Sequence, residues 1–228
     1  MKTSTMSLSS FLQHIDNVTA LEHLIDILPK CSTEGPWLSG GSLHRTYRGI
    51  SIENADLDFY FQDEKQLNCF LANVNKQAID AKKYITKSYE VSKWHHSVTI
   101  NYMNIDWKIQ CISFLYFKSI EEMFNSFDIN VCSLAYDGTN VHFAENVISD
   151  IKNNRLKFND DAINYPNVTL KRLVKYLKMG YDVDESEIKK LCNSFTRANK
   201  HQRKIHDMDI TSSPINSSIS DYSNLKNP

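Results

Sequence analysis

No Cys-x-x-Cys pair occurs in these 228 residues, and the five cysteines, Cys31, Cys69, Cys111, Cys132 and Cys192, are odd in number and widely scattered. That speaks against a disulfide framework and predicts reduced thiols in a cytoplasmic protein. An excess of charge of one sign is also missing. Lys and Arg number 26 against 27 Asp and Glu, for a net charge of -1 and a pI of about 6.7. The chain as a whole therefore has no attraction for nucleic acid, and any polyanion contact must come from a local basic patch. No run is long and apolar enough to span a bilayer, the opening "MKTSTMSLSS" has no apolar signal core, and no internal repeat is visible. These absences lead us to expect a soluble, unexported protein with no membrane partner. What the chain does have is apolar material, 41% of its residues, enough for one large domain or a domain with an appendage.

Strand and helix patterns alternate along most of the chain, and helices close it. "SLSSFLQHIDNVTALEHLIDIL" carries helical apolar spacing up to Pro29, and "PWLSGG" reads as a short strand. "SLHRTYRG" opens as a helix directly after the glycines, and "NADLDFYF" alternates with period two as a second strand. A helix over "DEKQLNCFLANVNKQAIDA" has acidic residues in its first turn, where the helix dipole favours them. Three strand-like runs follow, "KYITKSYEVS", "HSVTINYM" and "WKIQCISFLYF", then a helix "IEEMFNSF" and a strand "DINVCSLAYDG" closed by an Asp-Gly turn. "ENVISDIKN", "TLKRLVKYLKMG" and "DESEIKKLCNSFTRANKHQRK" read as helices, and the Ser- and Asn-rich end as a loose tail.

The chemistry concentrates in "WLSGGSLHRTYRGISIENADLDFYF", residues 37–61. A strand that ends in Gly40-Gly41 and feeds a helix exposes backbone N–H groups suited to phosphate oxygens, although glycine also serves any tight turn. Asp56 and Asp58 are two apart in a strand, so they share a face with side chains roughly 6–7 Å apart. Two carboxylates on one face are costly unless solvated, hydrogen-bonded or neutralised by a cation, and a hard divalent ion takes such ligands. Asp128 opens the "DINVCSLAY" run and is a candidate third ligand for a site holding two ions. By itself it reads more readily as a helix-to-strand junction.

These residues carry a resemblance. The stretch 38–59 resembles the nucleotide-binding signature of the DNA polymerase β-like nucleotidyltransferase superfamily, and most of all the head domain of class II tRNA nucleotidyltransferases (CCA-adding enzymes) and bacterial poly(A) polymerases. The matching residues are Gly40, Gly41, Gly49, Asp56 and Asp58, then Asp128, Ala135, Tyr136 and Asp137, and more loosely Arg172, Lys175, Gly180 and Tyr181. The resemblance implies an α+β fold, a nucleotidyltransferase head of mixed sheet flanked by helices with a small helical neck-like extension. Its division would be an N-terminal helical segment over 1–34, the head over 35–160, the neck over 161–205 and a flexible tail over 206–228.

The activity it implies is transfer of an NMP from an NTP to a hydroxyl, with two Mg²⁺ ions (or Mn²⁺) on Asp56, Asp58 and Asp128. The nucleotide would lie against Gly40, Gly41, Ser42, His44, Arg45, Arg172 and Lys175. RNA, including a tRNA end, is the favoured acceptor; a protein side chain or small molecule is the alternative, and a non-catalytic nucleotide-sensing or antitoxin-like module the other. The chain departs from the family pattern at His44, where an arginine is usual, and at Ser126 and Phe127, where two arginines are usual. It also lacks a Glu-Asp-x-x-Arg templating pattern, so faithful CCA synthesis is not expected. His95 and His96, adjacent on a strand, face opposite ways and read as surface residues. Lys189, Lys190, Arg197, Lys200, Arg203 and Lys204 form a basic end that reads as a solvated helix face or an RNA-backbone contact.

Overall fold

In the computed structural model the residues described are 2–12, 21, 25, 30–52, 55–80, 87–91, 95–102 and 105–207, with side chains outside 75–107 and 199–207. The expected tail beyond residue 207 lies outside them, as does most of the expected first helix. Strands β1 (Thr3–Ser7), β2 (Trp37–Ser39), β3 (Asp56–Tyr60), β4 (Lys87–Val91), β5 (His95–Tyr102), β6 (Ile105–Ile112), β7 (Leu134–Tyr136) and β8 (Asn140–Ala144) form one eight-stranded sheet. Its order is β1-β8-β7-β2-β3-β6-β5-β4, with β3 and β6 parallel and the other neighbours antiparallel. A sheet of mixed direction with helices packed on it is the α+β class expected from the sequence.

Alternation along β3 decides which way the sheet faces. Leu57 and Phe59 are 0% and 1% exposed and pack with Leu38, Ile109 and Cys111, while Asp56, Asp58 and Tyr60 take the other face. The helices in chain order are α1 (Leu8–Leu12), α2 (Gly41–Tyr47), α3 (Glu64–Asp80), α4 (Ile120–Asn125), α5 (Val147–Lys152), α6 (Pro166–Lys178) and α7 (Glu185–Asp207). A small parallel pair, β9 (Arg155–Leu156) and β10 (Asp182–Val183), ties the head to the segment after α6.

Two readings differ from the sequence expectation. Residues 3–7, expected within an N-terminal helical segment over 1–34, form the edge strand β1 on β8. The long strand expected over "DINVCSLAYDG" is broken. Ile129 makes only an isolated bridge to Phe158, residues 130–132 form a 3-10 turn, and the strand proper is Leu134–Tyr136. There the Asn130 side chain donates to Asp150 Oδ2 and accepts from the Lys157 backbone N–H, tying the turn to residues outside the eight-stranded sheet.

Candidate functional site: an acid pair beside a diglycine turn

β2 runs antiparallel to β3, with Ser39 opposite Asp58, so the chain leaving β2 turns at the level of the acid pair. Gly40 makes that turn at φ 87° and ψ −143°, a conformation that side chains avoid. A Cβ on Gly40 would also stand 3.2 Å from Asp58 Oδ2, whereas one on Gly41 would meet nothing within 4 Å. The turn therefore brings bare backbone against one carboxylate and leaves open space beside it.

Asp58 is half-buried and has no hydrogen-bond donor among the described residues. Burial, then repulsion from Asp56, push its pKa up to about 7, against the pull of Arg172, Lys175 and Lys108. Asp56 is exposed on the same face. Across the parallel pairing, Asp56 stands opposite Lys108 and Asp58 opposite Gln110, so a lysine and an amide flank the acids. The sequence reading missed these, although "IDWKIQC" alternates polar and apolar strictly and so puts Asp106, Lys108 and Gln110 at positions of one face. Asp106, two residues before Lys108, is thus a third carboxylate-bearing position on the face of the acid pair.

Asp128 does not join the pair. It is 6% exposed, its Oδ2 accepts from Thr169 Oγ1 and its Oδ1 from Arg172 Nη1, both at 2.6 Å. A buried carboxylate needs such partners, and α6 delivers them one turn apart. Burial works to lower the Arg172 pKa, but the Asp128 carboxylate outweighs it and raises it. Among the described residues no three His, Cys, Asp or Glu side chains are grouped as metal ligands. The trio expected from sequence is therefore an acid pair plus an anchor for Arg172.

The expected phosphate-facing residues divide in the same way. Ser42 is 1% exposed, and its hydroxyl has no partner among the described residues. His44, 1% exposed, shares a 2.6 Å hydrogen bond with the Tyr181 hydroxyl. Arg45 donates Nε to the Ser51 carbonyl at 2.9 Å and is half-buried. Lys175 is exposed, and its charge lowers the pKa of both His44 and Asp58. In the basic run, Lys190 pairs with Glu187 and Arg197 with Asp160. A polar cavity of about 380 Å³, lined by Gln62, Lys118, Ser119 and His142, lies at the other end of β3 from Asp56.

The fold is similar to that of solved CCA-adding enzymes. The Thermotoga maritima CCA-adding enzyme complexed with tRNA superposes with a TM-score of 0.57 at 12% identity, covering 85% of this chain and 46% of that one. A CCA-adding enzyme complexed with CTP gives 0.59 at 13% identity, over 87% and 48%. The fold is thus that of a nucleotidyltransferase head. By sequence, the chain belongs to the Gabija anti-defense 2 family, whose model matches residues 4–154. A curated relative, "Gabija anti-defense 2" of Bacillus phage SPbetaL7, is 27% identical over 152 residues, which are 66% of this chain and 34% of that protein. The chain thus matches about a third of the length of that relative. Among the described residues no helix is long and apolar enough to cross a membrane.

Proposed function

We propose that the chain is a metal-dependent nucleotidyltransferase that moves an NMP from an NTP to a hydroxyl, in the service of the anti-defense role its relatives are named for. The observation that carries the reading is the acid pair on β3, with no donor to Asp58 among the described residues, beside the open backbone of Gly41 and under the charge of Arg172 and Lys175. Mutual repulsion of Asp56 and Asp58 is relieved by a divalent cation, so the donor set fits Mg²⁺ or Mn²⁺. Asp56 and Asp58 would hold it, and Asp106, placed by register on the same face, is the position to test as a third. When bound it supplies neutralisation of phosphate charge and a lowered pKa for the acceptor hydroxyl. Asp128 acts through Arg172 instead of as a ligand.

The chain's own residues do the rest. The Gly40-Gly41 backbone approaches the nucleotide closely because no side chain intervenes, and Arg172, Lys175 and Lys108 neutralise the phosphates. Arg172, held by Asp128 and followed one turn on by Tyr176, keeps one orientation and so contributes without reorganising. The acceptor is an RNA hydroxyl in the first reading. A protein acceptor is the second, favoured by the net charge of -1 and by the pairing of Lys190 and Arg197 within the fold.

The test is incubation with each labelled NTP, Mg²⁺ and separated RNA and protein fractions. Label in RNA supports the first reading and label in a protein band the second. Nucleotide binding without transfer to any fraction would leave a sensing module in place of the enzyme. Asp106→Asn should abolish transfer as Asp58→Asn does; retained transfer removes Asp106 from the site.

A further inference from the structure

Several buried polar groups that the acid pair does not use meet at one seam, where α2 packs on the end of α6. The His44 imidazole stands edge-on to Tyr176 at 5.3 Å and tilted to Tyr181 at 5.5 Å, besides its hydrogen bond to the Tyr181 hydroxyl. The Tyr176 hydroxyl in turn meets Cys132 Sγ at 3.0 Å. Arg48, one turn beyond His44, donates Nη1 to the Met179 carbonyl at 3.1 Å and lies 4.9 Å over the Tyr181 ring.

The geometry of Tyr181 follows from how α6 ends. Gly180, at φ 85°, lets the Tyr181 N–H reach back to the Tyr176 carbonyl at 3.1 Å and stacks the two rings edge to face at 5.6 Å. The C-terminal turn of α6 is thereby a rigid platform against α2. Burial, reinforced by the charges of Arg48, Lys175 and Arg45, holds the His44 pKa down at about 3. The imidazole is a neutral hydrogen-bonding group in this seam, not a cation facing phosphate.

α2 begins at the diglycine turn, and α6 carries Arg172 and Lys175, with Tyr176 next to one and four residues beyond the other. The seam therefore connects the two halves of the nucleotide site without touching the acid pair. We propose that His44 and Tyr181 are positioning residues that fix α6 against α2, so that Arg172 and Lys175 stand over the acid pair in one geometry. The proposal rests on the nucleotidyl-transfer reading for its functional consequence. Its structural content stands separately.

The test compares His44→Ala, His44→Gln, Tyr181→Phe and the double variant His44→Ala/Tyr181→Phe. Two measurements are made on each: the ATP dissociation constant with Mg²⁺ at about pH 6 and about pH 8, and amide hydrogen exchange along α6 against that in β2 and β3. Loss of the shared hydrogen bond should weaken ATP binding about five- to tenfold in either single variant and no further in the double variant. Exchange in α6 should quicken while β2 and β3 keep their protection. His44→Gln, which can still bond the hydroxyl, should recover most of the loss, and the loss should be equal at both pH values. An effect of His44→Ala confined to the lower pH, with Tyr181→Phe silent, would make His44 a phosphate cation and overturn the proposal. So would wild-type affinity and exchange in Tyr181→Phe. Should the wild type bind no nucleotide, the transfer reading fails and exchange alone decides the seam: quickening in α6 sustains it, no change refutes it.

Discussion

Asp58 and Asp128 are both acids withdrawn from solvent, and they differ in almost everything else. Asp128 has each oxygen on a donor and an arginine beside it. Asp58 has no donor among the described residues, an acid two residues away on its own face and a glycine backbone against its Oδ2. A partnered buried carboxylate is a joint of the fold. An unpartnered one is a cost that folding alone does not explain, and a cation with its phosphates would relieve it. Sequence alone gave the two aspartates the same role; their partners separate them.

The largest way to break this comparison is activity. Asp58→Ala should reduce NMP transfer about a thousandfold or more while circular dichroism and elution volume stay unchanged. Transfer that survives it would make the acid pair incidental. Next is stability. Asp128→Ala should cost about 1–3 kcal/mol in chemical denaturation, because it removes two hydrogen bonds and leaves the buried Thr169 hydroxyl without its short partner, while the half-exposed Arg172 stays solvated. A change below about 1 kcal/mol would mean that the pair is not a joint.

Asp58→Asn should move stability the other way, and pH gives the sign. The folded pKa of Asp58 is raised to about 7 from an ordinary 3.8, so between those values the native state holds a proton that the unfolded chain has released. The contribution of Asp58 to stability is therefore full at low pH and lost as pH rises towards and through 7. Asp58→Asn should melt above the wild type at pH about 8 and converge with it near pH about 4. Mn²⁺ should raise the wild-type melting temperature at pH about 8 and leave the variant where it was. His44 works in the opposite sense. Its folded pKa of about 3 lies below the ordinary 6.5, so it costs stability as pH falls between them, and His44→Gln should flatten that acid limb.

Much of this was legible in the sequence, and the reason is local. Gly40, Gly41, Asp56 and Asp58 lie within one strand–turn–helix–strand unit, where period and turn chemistry fix which residues share a face. Asp128 belongs to no such unit. Its partners are 41 and 44 residues downstream, and nothing in "FDINVCSLAYDG" announces that α6 will take both its oxygens. The same distance hid the seam, since His44 meets Tyr181 across 137 residues. Lys108 and Asp106 were missed for a different reason. The alternation in "IDWKIQC" was readable, but a parallel partner strand is set by topology, not by neighbouring sequence, so the pairing of β6 with β3 could not be assigned.

The smallest expected effect sharpens the same contrast at the surface. Arg197 reaches Asp160 with two guanidinium contacts, Nη1 to Oδ2 at 3.1 Å and Nη2 to Oδ1 at 2.7 Å, a geometry as good as that of Arg172 on Asp128. The two arginine side chains are equally half exposed, but the Asp160 side chain is 44% exposed where that of Asp128 is 8%. Water and salt screen the outer charges, and removing one leaves the other solvated instead of stranded. Arg197→Ala should therefore leave the denaturation midpoint almost unmoved and lose even that small shift in high salt, with transfer unchanged. A loss comparable to that of Asp128→Ala would mean that bidentate geometry, and not burial, decides what an ion pair is worth in this fold.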